Sequence, residues 1–216
     1  MKYNAIIWDL DGTLLDTLGD LTASVNAALA KHGCPTRTIH EVRSFVGNGV
    51  ENLMRRAMPE GREDVEFSRL FADFRAHYAI HSNDTTAPYP GVMEILQKLQ
   101  QQGVKMAVVS NKLDSAVKSL CELHFGSLID VAIGEREGVR RKPAPDSVLQ
   151  AMELLRTSNA VYIGDSEVDI ATAKNAKLPC ICVSWGFRPE ETLRQSGAER
   201  IAADAAVLMK LLNEEE

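Results

Sequence analysis

The chain reads as an α/β fold, a parallel sheet with helices on both faces and an all-helical unit inserted after the first strand. Three observations lead there. From Val92 onward, apolar runs of strand length alternate with helical patterns, the rhythm of a parallel sheet covered on both sides. The first apolar run, Ala5–Trp8, is cut off from that rhythm by a long stretch with helical spacing alone. Polar residues gather where the apolar runs end.

Each element follows from local pattern. Ala5–Trp8 has the length and flanks of a buried strand, and a Gly12-Thr13 turn follows it. Leu18, Leu21, Val25, Ala28 and Leu29 recur at helical spacing, with Asp16 as a cap and Gly33 as a stop. Thr38 and Glu41 stand at capping-box spacing. Val50, Leu53, Met54 and Ala57 mark another helix, halted near Pro59. Phe67, Leu70, Phe71, Phe74 and Tyr78 form the apolar stripe of a longer one. Residues 82–91 are polar and proline-bearing, a connector. The spacing then predicts helices over 92–102, 113–123, 145–155 and 167–176, with strands at 104–109, 129–133, 160–163 and 180–183 and a strand–helix pair over 200–212. The expected organisation is a core of residues 1–15 and 83–216 with a helical insert of 16–82.

Composition narrows the function. A net charge of −6 and a pI near 5.5 lack the basic face that nucleic acid requires, and they argue against a membrane-surface role. The N-terminal apolar run is too short for a signal peptide, and no apolar stretch is long enough to span a bilayer. A cytoplasmic protein, monomer or homodimer, is expected. Cys34, Cys121, Cys180 and Cys182 lack the paired spacing of a metal site and read as reduced thiols.

The chemistry lies at the strand ends. Asp9 and Asp11 follow the first strand, Ser110 follows 104–109, and Gly164-Asp165 follows 160–163. Ligands of open α/β sheets bind beyond the carboxyl ends of the strands, so these side chains should converge. Asp9, Asp11, Asp165 and Asp169 together crowd negative charge that only a cation can balance. An all-oxygen set suits Mg2+, which also takes phosphate oxygens. Lys142 adds a second positive charge, and a phosphate would bridge the two; phosphoryl transfer needs mainly positioning and charge neutralisation. Of two aspartates two apart, one can attack phosphorus and the other can protonate the leaving alkoxide and then activate water.

Asp9-Leu10-Asp11-Gly12-Thr13-Leu14-Leu15-Asp16, Ser110-Asn111-Lys112, Lys142-Pro143-Ala144-Pro145 and Gly164-Asp165-Ser166-Glu167-Val168-Asp169 resemble, in order and spacing, the four motifs of the haloacid dehalogenase superfamily. The resemblance implies a Rossmann-like core whose helical insert is a cap. It implies Asp9 as nucleophile and metal ligand, and Asp11 as general acid/base with a metal-binding carbonyl. Ser110 and the Asn111 amide would hold the phosphoryl group, Lys142 would neutralise it, Asp165 would ligate Mg2+, and Asp169 would order the metal's waters or Lys142. Dehalogenating relatives lack an acid at the position of Asp11, so its presence favours phosphate esters of small metabolites. Val46-Gly47-Asn48-Gly49-Val50 and Trp185-Gly186-Phe187-Arg188-Pro189-Glu190-Glu191 resemble phosphoglycolate phosphatases, which makes Gly47, Asn48 and Gly49 candidate substrate contacts. A β-phosphoglucomutase-like mutase, or a pyrophosphatase or nucleotide phosphatase, would share every core residue. A non-catalytic binder gains nothing from the Asp9–Asp11 pair.

Plainer readings compete at single positions. Ser110 could cap the following helix, Lys142 could belong to a surface run with Arg140 and Arg141, and Asp169 could complement a helix dipole. Gly47-Asn48-Gly49 could be a plain turn. Arg43, Arg55, Arg56, His77 and His81 read as exposed helix faces, and Trp8 and Trp185 as packing residues.

Overall fold

The strand Ala5–Trp8 (β1) is apolar and buried at every position. Such a run has no solvent face, so it belongs inside a sheet covered on both sides. The computed structural model, which describes residues 2–47, 49–61 and 63–214, places it there. β1 pairs in parallel with Lys105–Leu113 (β4) on one side and Ala160–Gly164 (β6) on the other. Val131–Glu135 (β5), Cys180–Val183 (β7) and Ile201–Ala202 (β8) complete a six-stranded sheet of order β5-β4-β1-β6-β7-β8, with each described pairing parallel.

Alternate side chains of β1 serve opposite faces. Ile6 and Trp8 join one core with Val92–Gln101 (α5), Asp114–Phe125 (α6) and Ala205–Asn213 (α10), through residues such as Leu96, Val117 and Leu208. Ala5 and Ile7 join the other with Asp146–Leu155 (α7) and Glu167–Ala176 (α8), through Val148, Ala151 and Ala173.

The chain divides into two compact units, Met1–Leu15 with Pro88–Glu216, and Asp16–Ala87. Two short strands, Leu15–Asp16 (β2) and Ala87–Pro88 (β3), mark the crossings. The second unit consists of Leu18–Lys31 (α1), Ile39–Phe45 (α2), Val50–Ala57 (α3) and Asp64–His81 (α4). Asp16 starts α1 by accepting from Leu18 N, and Thr38 and Glu41 close the expected capping box on α2. The aromatic stripe of α4 packs as a run of stacked rings, Phe67, Phe71, Phe74 and Tyr78, against Val25, Leu29 and Leu53. Arg55 is occupied structurally, over the Phe67 ring and on Glu51, and Arg56 donates to Phe45 O.

Several local expectations are corrected. β4 runs on to Leu113 because Leu113 still pairs with Glu135 of β5, so the following helix begins only at Asp114. Glu190–Gln195 (α9) was not anticipated; six residues are too few to show a period. His77 is not an exposed face: it is half-buried, and its Nδ1 lies 2.9 Å from Ser24 Oγ. The helical unit continues past position 82 to Ala87 because Asp20 holds the returning segment. That buried carboxylate accepts from the amides and hydroxyls of both Thr85 and Thr86 at 2.6–3.1 Å. Among the described residues, no helix is long and apolar enough to cross a membrane.

The Asp20 clamp has a pH signature. Burial pushes its carboxyl up, but the Thr85 and Thr86 hydrogen bonds outweigh this and hold it below the usual carboxylate range. A depressed folded pKa gives stability that is full above the unfolded value and is lost as pH falls through the folded one. Asp20→Ala should destabilise the protein by about 2–3 kcal/mol at pH 7, because it strands four donors. Its deficit should shrink as pH falls below about 4, the value of the unfolded carboxyl, toward the lower value of the native one; urea unfolding at several pH values measures both.

Candidate active site

β1 ends at Trp8, and the ladder continues one residue further, with Asp9 N donating to Ile163 O at 2.8 Å. The chain then turns back on itself: the amides of Thr13, Leu14 and Leu15 all reach Leu10 O. Gly12 sits in the left-handed region at φ +87°, and a Cβ there would collide with the Asp165 carboxylate. This tight turn leaves Asp9 and Asp11 at the strand end with different partners.

Asp9 faces Lys142, whose Nζ lies 2.8 Å from Asp9 Oδ1. The same ammonium donates to Asp169 Oδ1 at 2.9 Å and to Tyr162 Oη at 3.0 Å. The Tyr162 hydroxyl in turn donates to Asp169 Oδ1 at 2.9 Å. Three acceptors thus match the three N–H bonds of a lysine buried to 4% side-chain exposure. The other Asp169 oxygen accepts from Asp165 N, Ser166 N and Ser166 Oγ, so Asp169 also closes the capping box of α8. The surface-run reading of Lys142 fails, since Arg140 and Arg141 are exposed while Lys142 is buried. Asn111 holds that segment by a reciprocal pair: Lys142 N donates to its Oδ1 at 2.8 Å and its Nδ2 donates to Lys142 O at 3.0 Å.

Asp11 faces another way. Lys112 Nζ lies 2.9 Å from its Oδ1, and Ser110 Oγ lies 3.4 Å from its Oδ2. Ser110 is inside β4, and α6 begins at Asp114 without a side-chain cap, so the helix-cap reading of Ser110 is wrong. Asp165 is buried beside this turn, accepting from Thr13 Oγ1 at 3.1 Å and Phe187 N at 2.6 Å. Trp185 does more than pack: its Nε1 donates to Thr13 O at 3.0 Å, which ties the β7 loop to the β1 loop.

Asp9, Asp165 and Asp169 bring carboxylate oxygens within 4.8 Å of one another, all buried. Lys142 contacts two members of this trio, Asp9 and Asp169. Burial and the Asp169 charge push the Asp9 carboxyl well above the usual range, against the pull of Lys142. Burial and Asp169 likewise raise Asp165. Burial works against the charge of Lys142, but Asp169 and Asp9 hold its pKa above the ordinary lysine value. A buried cluster of three carboxylates, two of them with raised carboxyls, fits a hard divalent cation, and its donors are all oxygen. Asp169 is already met by five donors, whereas Asp9 and Asp165 keep acceptor capacity to spare. The Asp11 carboxylate is outside the trio.

The three strand-end groups and Lys142 therefore meet in one unit. Gly47 and Gly49 belong to the helical unit, both at positive φ around the start of α3; Asn48 lies outside the described residues. Lys112, Tyr162 and the Phe187 amide were missed. Tyr162 had one signal, a lone hydroxyl in an apolar strand; Lys112 had only its place beside Ser110 and Asn111.

Residues 6–183 match the model of the haloacid dehalogenase-like hydrolase family. The chain belongs to that family. Among its relatives is a phosphoglycolate phosphatase of Rhodobacter capsulatus, 36% identical over 188 residues that cover 85% of either chain. Phosphoglycolate phosphatase 1 of Pseudomonas aeruginosa is 35% identical, over 84% of this chain and 70% of its own. A crystal structure from Lactobacillus delbrueckii subsp. bulgaricus, of a protein assigned as a phosphoglycolate phosphatase, superimposes with a TM-score of 0.94 and 37% identity over the whole of both chains.

Gly186 tests how closely the site is packed. A Cβ there would strike Gly12 O and the Asp165 side chain. Gly186→Ala should cost about 1–3 kcal/mol of stability by overpacking, read by urea unfolding. It should also weaken binding of divalent cations, read by calorimetric titration.

Proposed function

We propose that the chain is a phosphatase of the phosphoglycolate phosphatase kind, cleaving small phosphate monoesters through an aspartyl-phosphate on Asp9 with Mg2+ as cofactor. The observation that carries this reading is Asp9 itself. It is a buried strand-end carboxylate in contact with one fixed ammonium and beside two further carboxylates.

Each residue has a task in this reading. Lys142 draws the phosphoryl group toward Asp9 and offsets charge on its oxygens. Ser110 and the Asn111 amide hold the same group in line. An Asp9 oxygen attacks phosphorus while the bond to the ester oxygen breaks, and Asp11 gives its proton to the departing alkoxide. Asp11 then takes a proton from water as that water attacks the aspartyl-phosphate, which frees phosphate and restores Asp9. Asp9, Asp165 and the Asp11 carbonyl would hold Mg2+, with Asp169 behind them; bound there, the ion supplies charge neutralisation on the phosphoryl oxygens. The Asp11 carboxylate is paired with Lys112, a contact distinct from that of Asp9. The helical unit serves as a cap, with Gly47, Asn48 and Gly49 as substrate contacts.

A panel of 2-phosphoglycolate, sugar phosphates, nucleotides and pyrophosphate tests the substrate class; 2-phosphoglycolate should release phosphate fastest. Asp9→Asn should abolish turnover, and Asp11→Asn should slow it by about 10²–10⁴-fold. Chelation should abolish phosphate release and Mg2+ should restore it. Full activity of a folded Asp9→Asn protein, or of the chelated enzyme, would overturn the mechanism.

A further inference from the structure

Helix α4 carries a second set of metal-ligating groups, remote in sequence from the motifs above. Asp73, His77 and His81 follow one another at intervals of four, which places them on one helix face. The rings of His77 and His81 lie with centroids 4.3 Å apart. Both line a cavity of about 260 Å³ between α1 and α4, whose walls also include Ala28, Asp73 and Ile80.

Each ring is held from behind. His77 Nδ1 lies 2.9 Å from the hydroxyl of buried Ser24, and His81 Nδ1 lies 2.7 Å from Asp84 Oδ2. The Asp84 carboxylate can only accept, so it favours the His81 tautomer with the proton on Nδ1 and a lone pair on Nε2. The Ser24 hydroxyl anchors His77 through Nδ1 and leaves Nε2 as the nitrogen not engaged by that contact. Asp73 is tied to Lys31 at 2.7 Å and to His32 Nε2 at 2.8 Å, so the cation at this rim is already paired.

From this geometry we infer that His77 and His81 form a transition-metal site. It takes a divalent ion that prefers imidazole nitrogen, such as Cu2+, Zn2+ or Ni2+, and rejects Mg2+, which prefers oxygen. Metal–nitrogen bonds of about 2.0–2.1 Å can bridge two nitrogens up to roughly 4 Å apart, and these rings, tilted by 31°, have centroids 4.3 Å apart. The remaining coordination positions open to the cavity and fall to water or a small anion. Two histidines a turn apart on one helix make a chelate, and here Ser24 and Asp84 supply the outer contacts that orient both rings.

The test uses Cu2+ as the probe on the full chain, with excess Mg2+ present to occupy the carboxylate trio. Electron paramagnetic resonance should show one ion per chain with coupling to two nitrogens, a signature the all-oxygen trio cannot produce. His77→Ala and His81→Ala should each lose the two-nitrogen signal. Asp84→Asn, which leaves both ligands in place, should weaken Cu2+ binding by about 10-fold or more. Phosphatase turnover with Mg2+ alone should be unchanged in the Asp84→Asn protein. A missing two-nitrogen signal in the native chain, or one that survives both alanine substitutions, would overturn the assignment.

Discussion

The ammonium of Lys142 is the point on which the site depends. It is buried, and each of its three N–H bonds has an acceptor: Asp9, Asp169 and Tyr162. A buried lysine is tolerated only with such partners, and buried carboxylates only with such a cation. The arrangement therefore holds as a set. It fixes the direction of Asp9 at the end of β1 and of Asp169 in the first turn of α8. Through the reciprocal Asn111 bonds it also sets the path of the backbone at Lys142.

The sheet makes that meeting possible. β1 lies between β4 and β6, and the register Trp8↔Val108 and Trp8↔Ile163 brings Asp9, just past β1, close to Ser110, still inside β4, and Asp165, just past β6. Steric tightness then removes slack. Gly12, Gly164 and Gly186 each occupy positions where a methyl group would strike Asp165 or Asp169, so backbone and carboxylates are packed without spare room.

Two aspartates two residues apart end with distinct environments. Asp9 is directed to Lys142, and Asp11 to Lys112 and Ser110. The separate tasks proposed for Asp9 and Asp11 would draw on these different partners. Asp165 and the Phe187 amide connect the turn after β1 to the loop after β7, and Trp185 adds a second tie to the same turn. The helical unit has its own core and its own clamp at Asp20, which fastens the returning chain with threonine hydroxyls and amides.

By itself the sequence determined the periodicities. Buried strands are uninterrupted apolar runs and amphipathic helices repeat every three or four residues, so β1, β6, β7 and α8 were legible from composition along the chain. The strand-end acids were legible too, because polar residues that follow a buried strand must reach solvent or a site. What only the tertiary structure decided was pairing across distance. Lys112 meets Asp11 from 101 positions away, and Tyr162 meets both Lys142 and Asp169 from inside an apolar strand. The extension of β4 to Leu113 needed β5 beside it, and the end of the helical unit needed Asp20 to reach Thr85 and Thr86. Periodicity is a local property and survives in one dimension; charge pairing and hydrogen bonding between strand ends depend on register, which exists only once the sheet has formed.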